Sequence, residues 1–241
     1  LVSKSQLKLI TSLQQKKYRD KTGLFIAEGP KVIAEFITSG LRLHSLFASE
    51  EIGLSVFSEA VSEKELQKLS CLKTANKALA VFEIPKKTMP TSEGLIVALD
   101  AVRDPGNLGT IIRLCDWFGI TQLVCSMDTA DCYNPKVVQA TMGSIARVHV
   151  EYVDLSEFLE TSGLPIYGGV MNGSSIYDES LPQDAIIVLG NEANGISEDI
   201  QKKITHHVTI PQFGKIKETE SLNVATATAI LLSEFKRSTE K

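Results

Sequence analysis

From residue 95 onward the chain alternates short apolar runs with helix-like stretches, and several of the runs are apolar on both faces. The expected strands are residues 95–99, 122–125, 148–153, 166–170, 185–189 and 208–210. Helices are expected near 107–118 and from Pro135, Leu155, Ser197 and Val224 onward. Strands that show no polar face must be covered on both sides, which means a mostly parallel sheet with a helix in each crossover. In such sheets ligands sit beyond the carboxyl ends of the strands, so the loops leaving the strands are where chemistry is sought.

Three of these loops stand out. After the first strand comes Asp104-Pro105-Gly106-Asn107-Leu-Gly109, a turn sequence that opens a helix carrying Arg113. After the strand at 185–189 comes Gly190-Asn-Glu192-Ala-Asn-Gly195, whose two glycines suit close approach of backbone to a ligand. This loop has neither the Gly-Lys-Ser/Thr of a nucleoside-triphosphate loop nor the GxGxxG dinucleotide pattern. After the last strand, Pro211 stops the extended run. Gly214 and a charged segment follow, and Ser221 or Asn223 is placed to cap a helix from Val224. That helix begins with the small residues Ala225 to Ala229, so a neighbouring backbone can pack closely against it.

Residues 1–90 form a different region. They are expected to hold a helix in which Leu7, Ile10, Leu13 and Gln14 recur at helical spacing, strands at 24–27, 43–48 and 78–84, and helices at 31–38 and 62–69. The last begins with a capping-box pattern, Ser62 and Glu65. A polar segment with two prolines, 85–94, sets the expected boundary between domains at 1–88 and 93–241. The formal charge of −4 is unevenly divided, and the basic excess lies in the first 21 residues. There Lys4, Lys8, Lys16, Lys17, Arg19 and Lys21 face only Asp20, a composition that suits either a phosphate-seeking patch or the solvated face of an amphipathic helix.

The remaining composition narrows the classes. With 241 residues, 43% of them hydrophobic, the chain can bury a large core. No run approaches the length of a membrane span, and residues 1–17 lack a signal peptide's apolar block, which points to the cytoplasm. Cys71, Cys115, Cys125 and Cys132 form no CxxC pair and have no His at ligand spacing, so reduced thiols are expected and no metal site.

Taken in order on α/β strand ends, Asp-Pro-Gly-Asn-x-Gly-x-x-x-Arg, Gly-x-Glu-x-x-Gly-Ile, and then Ile-Pro, Gly and Ser-Leu-Asn-Val resemble the three motifs of the SpoU family of RNA ribose 2′-O-methyltransferases. Met142-Gly143-Ser144 with Arg147-Val148 resembles the family's mid-domain segment. Phe25-Ile-Ala-Glu28-Gly29-Pro30, with Ile33 and Phe36, is similar to the substrate-binding domain found in front of many members, a small fold related to ribosomal RNA-binding proteins.

The resemblance implies a deep trefoil knot near the C-terminus and a homodimer. It implies S-adenosylmethionine as methyl donor, held largely by backbone groups of Leu189, Gly190, Gly195, Ile210 and Leu222, without a metal. By motif position the catalytic set is Asn107, Arg113, Glu192, Ser221 and Asn223, with Asn107 and Arg113 of one subunit reaching the donor site of the other. The implied substrate is structured RNA, ribosomal RNA ahead of transfer RNA. Methylation of a base nitrogen by a related knotted enzyme, and RNA binding without activity, remain as alternatives. The chain departs from many members in the charged loop 215–220 and in Ala225-Thr-Ala-Thr, where Ser-Val-Ala is common. The longer loop would change how RNA enters.

Overall fold

The computed structural model describes residues 2–86, 90–214 and 221–239, so the charged loop 215–220 lies outside the described residues. The chain divides into two compact units, each with its own sheet.

The first unit opens with α1 (Lys4–Ser12) and α2 (Lys16–Thr22), followed by β1 (Leu24–Glu28), α3 (Pro30–Thr38), β2 (Leu43–Ala48), β3 (Glu59–Ala60), α4 (Glu63–Leu69) and β4 (Ala78–Glu83). The single helix expected at the start is two: Ser3 caps α1 through a capping box with Gln6, and the chain breaks at Leu13 before α2. Ile10 and Leu13 are buried, while Gln14 is exposed. The Ser62–Glu65 capping box is present on α4. The strands pair in the order β1-β4-β2-β3, with β4 antiparallel to both neighbours and β3 parallel to β2. Phe25 stacks on Phe82 at 5.9 Å, and Phe36 meets Phe82 edge-on at 5.3 Å.

This unit is discontinuous in sequence. It comprises Leu1–Lys86 together with Asp131–Arg147, which brings in a helix at Pro135–Thr141 (α6, after α5 below). The Tyr133 ring lies 4.8 Å from Phe25, and Arg147 pairs with Glu35 at 2.9 Å. Arg19 is 2% exposed and ion-paired to Asp131. It therefore does not belong to an exposed cationic patch, a correction to the sequence reading. Lys4, Lys8, Lys16, Lys17 and Lys21 are exposed.

The second unit comprises Lys87–Ala130 and Val148–Lys241. Its elements are β5 (Leu95–Leu99), α5 (Pro105–Trp117), β6 (Gln122–Ser126), β7 (His149–Val153), α7 (Leu155–Thr161), β8 (Ile166–Ser175), β9 (Ala185–Leu189), α8 (Glu198–Gln201), β10 (His206–Thr209) and α9 (Val224–Thr239). All the pairings in the sheet are parallel, in the order β10-β8-β9-β5-β6-β7. Ile96, Ala98, Ile186 and Val188 bury one face against Leu155 and Leu159 of α7 and Ile200 of α8. The helices α5 and α9 pack on one another, with Ile112, Cys115, Leu232 and Phe235 buried.

β8 is longer than its apolar run predicts. His207 pairs with Gly168, but the next residue, Val208, pairs with Ser174, so β10 skips along β8 and draws the polar residues beyond Val170 into the strand. Gly173 makes this possible, since a Cβ there would lie 2.6 Å from the His207 carbonyl oxygen.

Candidate active site

The loops leaving β9 and β10 enclose a cavity of 700 Å³. Its floor is the strand segment Gly169, Val170 and Met171 of β8, and α9 closes one side with Val224, Ala227 and Leu231.

The loop after β9 is shaped by two glycines and an asparagine. Any Cβ on Gly190 would fall 2.1 Å from the carbonyl carbon of Gly195, so the two arms of the loop can close only around glycine. Gly195 has φ +67°, a conformation that L side chains rarely adopt. The backbone N–H of Asn191 donates to the Gly195 oxygen at 2.9 Å, and the Gly195 N–H returns a bond to Asn191 at 2.8 Å. The Asn191 side chain accepts from the N–H of Ala193 and donates to the carbonyl of Ala101 at 2.7 Å. Buried Asp100 accepts from the N–H of Ser197 at 2.7 Å. The loop after β9 is thus fastened at both ends to the loop after β5. Asn191 and Asp100 were missed as site-building residues because their partners are about ninety positions away in sequence.

The third loop delivers Asn223. Its Oδ1 accepts from the N–H groups of Ala225 and Thr226 at 3.0 and 3.2 Å, so Asn223, not Ser221, caps α9. With the oxygen committed to the helix, its amide nitrogen faces outward and donates to Asn107 Oδ1 at 2.9 Å. Asn107 in turn donates from Nδ2 to Glu192 Oε1 at 2.8 Å. Asn107 is held in place by its own loop, since Asp104 caps α5 by accepting from its backbone N–H. The polarity of the relay follows from its two ends: a helix N-terminus demands an acceptor, and a carboxylate demands a donor.

All five residues expected to bind the donor, Leu189, Gly190, Gly195, Ile210 and Leu222, line the cavity, as do Glu192 and Ser221. Asn107 and Asn223 join it through the hydrogen-bond relay. Arg113 is not brought in: it is exposed on α5, outside the cavity lining, and makes no hydrogen bond or ion pair with another described residue. A smaller cavity of 390 Å³ lies at the opposite ends of the strands, beside Gly94, Thr121 and Asp184. Among the described residues no cluster of His, Cys, Asp or Glu could hold a metal ion. The four cysteines are free; Cys115, Cys125 and Cys132 are buried and Cys71 partly so. Burial, with Glu28 nearby, pushes the Cys71 thiol up to about 11. No helix among the described residues is long and apolar enough to cross a membrane.

Residues 94–233 match the SpoU rRNA Methylase family, and residues 4–86 match the MRM3-like substrate binding domain. The chain is 30% identical over 235 residues to the 23S rRNA (guanosine(2553)-2′-O)-methyltransferase RlmP of Bacillus subtilis, covering 93% of each. A solved structure of a putative RNA methyltransferase of the TrmH family from Porphyromonas gingivalis superposes with a TM-score of 0.90 at 39% identity, covering 98% of this chain and 99% of that one. An AdoMet-bound rRNA methyltransferase from Sinorhizobium meliloti superposes with a TM-score of 0.86 at 27% identity, covering 98% and 97%. With its three motif loops gathered on one sheet and more than half its length matched, the chain belongs to the SpoU rRNA methylase family.

Proposed function

We propose that this protein transfers a methyl group from S-adenosylmethionine to the ribose 2′-hydroxyl of a nucleotide in structured RNA, with ribosomal RNA as the substrate class. The observation that carries the reading is the cavity at the ends of β9 and β10, where every donor-binding residue expected from the motifs meets the Asn223–Asn107–Glu192 relay. The likeness to RlmP over almost the whole chain supports the choice of substrate class.

The residues present fit the donor. A volume of 700 Å³ lies within the several-hundred-Å³ range of small-molecule sites, and the lining combines apolar side chains with loop backbone. Backbone groups of Leu189, Gly190, Gly195, Ile210 and Leu222 would hold it. Bound there, the sulfonium supplies an electrophilic methyl group and needs no metal.

The protein's own part is to orient and to stabilise charge. Glu192, Asn107 and Asn223 are locked in one relay, so the cavity wall is set before substrate arrives, which is where positioning gains its rate advantage. A guanidinium is a poor base and a good partner for anionic oxygen, so Arg113 is assigned to stabilising the alkoxide that emerges at the 2′-oxygen, together with nearby phosphate, not to removing the proton.

An exposed Arg113 outside the cavity of its own chain fits a homodimer in which it reaches the partner's site. Trp117, one turn further along α5, is 84% exposed and offers an apolar surface for that contact. A trefoil knot around the C-terminal strand and helix is part of this reading, supported by Ser221 and Leu222 lining the same cavity as the loops after β9 and β10. The domains are assigned as 1–88 for RNA binding and 93–241 for catalysis, with Lys4, Lys8, Lys16, Lys17 and Lys21 facing phosphate and the cytoplasm as the compartment.

Nucleoside mass spectrometry of unmodified ribosomal RNA and bulk transfer RNA, after incubation with labelled S-adenosylmethionine, tests the reading. A 2′-O-methylated nucleoside from ribosomal RNA is expected. Label on a base, label in transfer RNA alone, or no donor binding would overturn the reaction, the substrate class or the activity respectively.

A further inference from the structure

One aromatic ring lines the rim of the cavity with most of its surface in water, and a second, partly exposed ring lies beside it. Phe213 lies in the loop that leaves β10, lines the cavity and is 83% exposed. Tyr177 follows β8, the strand that forms the cavity floor, and is 44% exposed. Their ring centroids are 6.3 Å apart and the planes diverge by 32°, so they neighbour one another without closing face to face.

Tyr177 stands on a fixed support. The N–H of Ile176 donates to the Thr209 carbonyl at 2.9 Å, and the Ile176 side chain is fully buried. Tyr177 and Asp178 then turn back through bonds to Ser175 Oγ and to the Ser175 carbonyl. The end of β8 is thereby fastened beside the end of β10, whose following loop carries Phe213. Leaving a whole phenyl ring in water forgoes the stabilisation that burial would give. A ring kept exposed beside a small-molecule cavity is a docking surface in search of its occupant.

We infer that Phe213 and Tyr177 are the stacking platform for the base of the nucleotide being methylated. This rests on the reading of the cavity as the methyl-donor site. The reacting 2′-oxygen must reach the cavity mouth, and the base is joined to the adjacent carbon of the same ribose, so it must come to rest within a few ångströms of that mouth. The exposed surface there is aromatic, and unpaired RNA bases splayed out of a loop are held by stacking on aromatic side chains. Stacking tolerates any base, so these rings position the nucleotide without choosing its identity.

The test uses the full-length protein and unmodified ribosomal RNA whose methylated nucleotide has first been mapped by mass spectrometry. Phe213→Ala, Tyr177→Ala and Phe213→Trp are compared for kcat and KM toward RNA, for S-adenosylmethionine affinity by calorimetry, and for oligomeric state by light scattering. A second RNA carries an abasic ribose at the target, which keeps the 2′-hydroxyl and removes the base. Phe213→Ala is expected to lower kcat/KM by about tenfold to a hundredfold. Donor affinity and oligomeric state should stay unchanged, and Phe213→Trp should restore most of the rate. On the abasic RNA the wild type should fall to a similar level, with no further loss from Phe213→Ala. Unchanged kcat/KM in Phe213→Ala, losses that multiply on the abasic RNA, a loss traced to donor affinity, or dissociation into monomers would each overturn the stacking role. A wild-type protein that methylates no RNA would instead overturn the underlying reading.

Discussion

Arg19 reaches Asp131 across 112 positions of sequence, with Nη2 and Nε both on Oδ2 at 2.5 and 3.1 Å, while Nη1 donates to the carbonyl of Leu13. The guanidinium is almost wholly buried, and the pair fastens the excursion between β6 and β7 to the first unit. A buried charge that loses its partner keeps its desolvation cost. Asp131→Ala is therefore expected to destabilise the protein by about 3–5 kcal/mol in urea unfolding. Replacing both, as Arg19→Met with Asp131→Leu, should recover most of that loss. An Asp131→Ala protein within about 1 kcal/mol of wild type would contradict the role given to the pair.

Gly190 and Gly195 fail differently when a methyl group is added. At Gly190 the new Cβ would collide with the Gly195–Ile196 peptide group, so the loop must open; donor binding should be lost and stability should fall by more than about 1–3 kcal/mol. At Gly195 there is open space, and the cost is that of a positive φ, about 1–2 kcal/mol, with donor binding weakened but measurable. Calorimetric titration of both variants with S-adenosylmethionine checks the contrast.

Asn107→Ala removes the middle of the relay and leaves Glu192 and Asn223 unconnected. Methyl transfer is expected to fall by about thirtyfold to a thousandfold, the scale of a lost hydrogen bond to a carboxylate plus a neutral one. Asn107→Asp should do worse, because it sets a second negative charge against Glu192. Rates equal to wild type in either variant would remove the relay from the mechanism.

Arg113→Ala is expected to lower kcat by about a hundredfold to a thousandfold while the melting curve and donor affinity stay put, since the side chain is exposed and bonded to no other described residue. Arg113→Lys should recover little, because an ammonium lacks the planar fork. Lost donor affinity in Arg113→Ala would assign the residue to binding instead.

Much of this molecule could be read from residues in order. The apolar runs placed the strands of the second sheet to within a residue or two, except the far end of β8. The Ser62–Glu65 box and Asn223 marked helix starts, the turn at 104–107 hid that α5 already begins at Pro105, and the glycines of the loop after β9 marked the cavity. These signals are local: periodicity, capping and positive φ act over a few residues, so they are written in adjacent positions. Capping also explains the miss at the start of the chain, where Ser3 and Gln6 begin a short helix that the apolar spacing alone ran together with the next one.

What only the folded chain decided was which distant groups meet. A row of cations at 4–21 reads as one patch, yet the fold takes Arg19 out of it, because Asp131 and the Leu13 carbonyl can satisfy its charge inside. Asn191 and Asp100 look like ordinary loop residues until their partners on the neighbouring loop are known. The skip of β10 along β8 depends on Gly173 letting backbone pass close to His207, and a lone glycine in sequence does not say what it approaches. The exposure of Phe213 and Tyr177 belongs to the same class, since an apolar residue is expected inside until tertiary packing leaves it out. By itself the sequence determined the elements and the chemistry carried on each loop; which loops share a cavity and which charges are buried was decided by long-range contacts, whose partners no local pattern names.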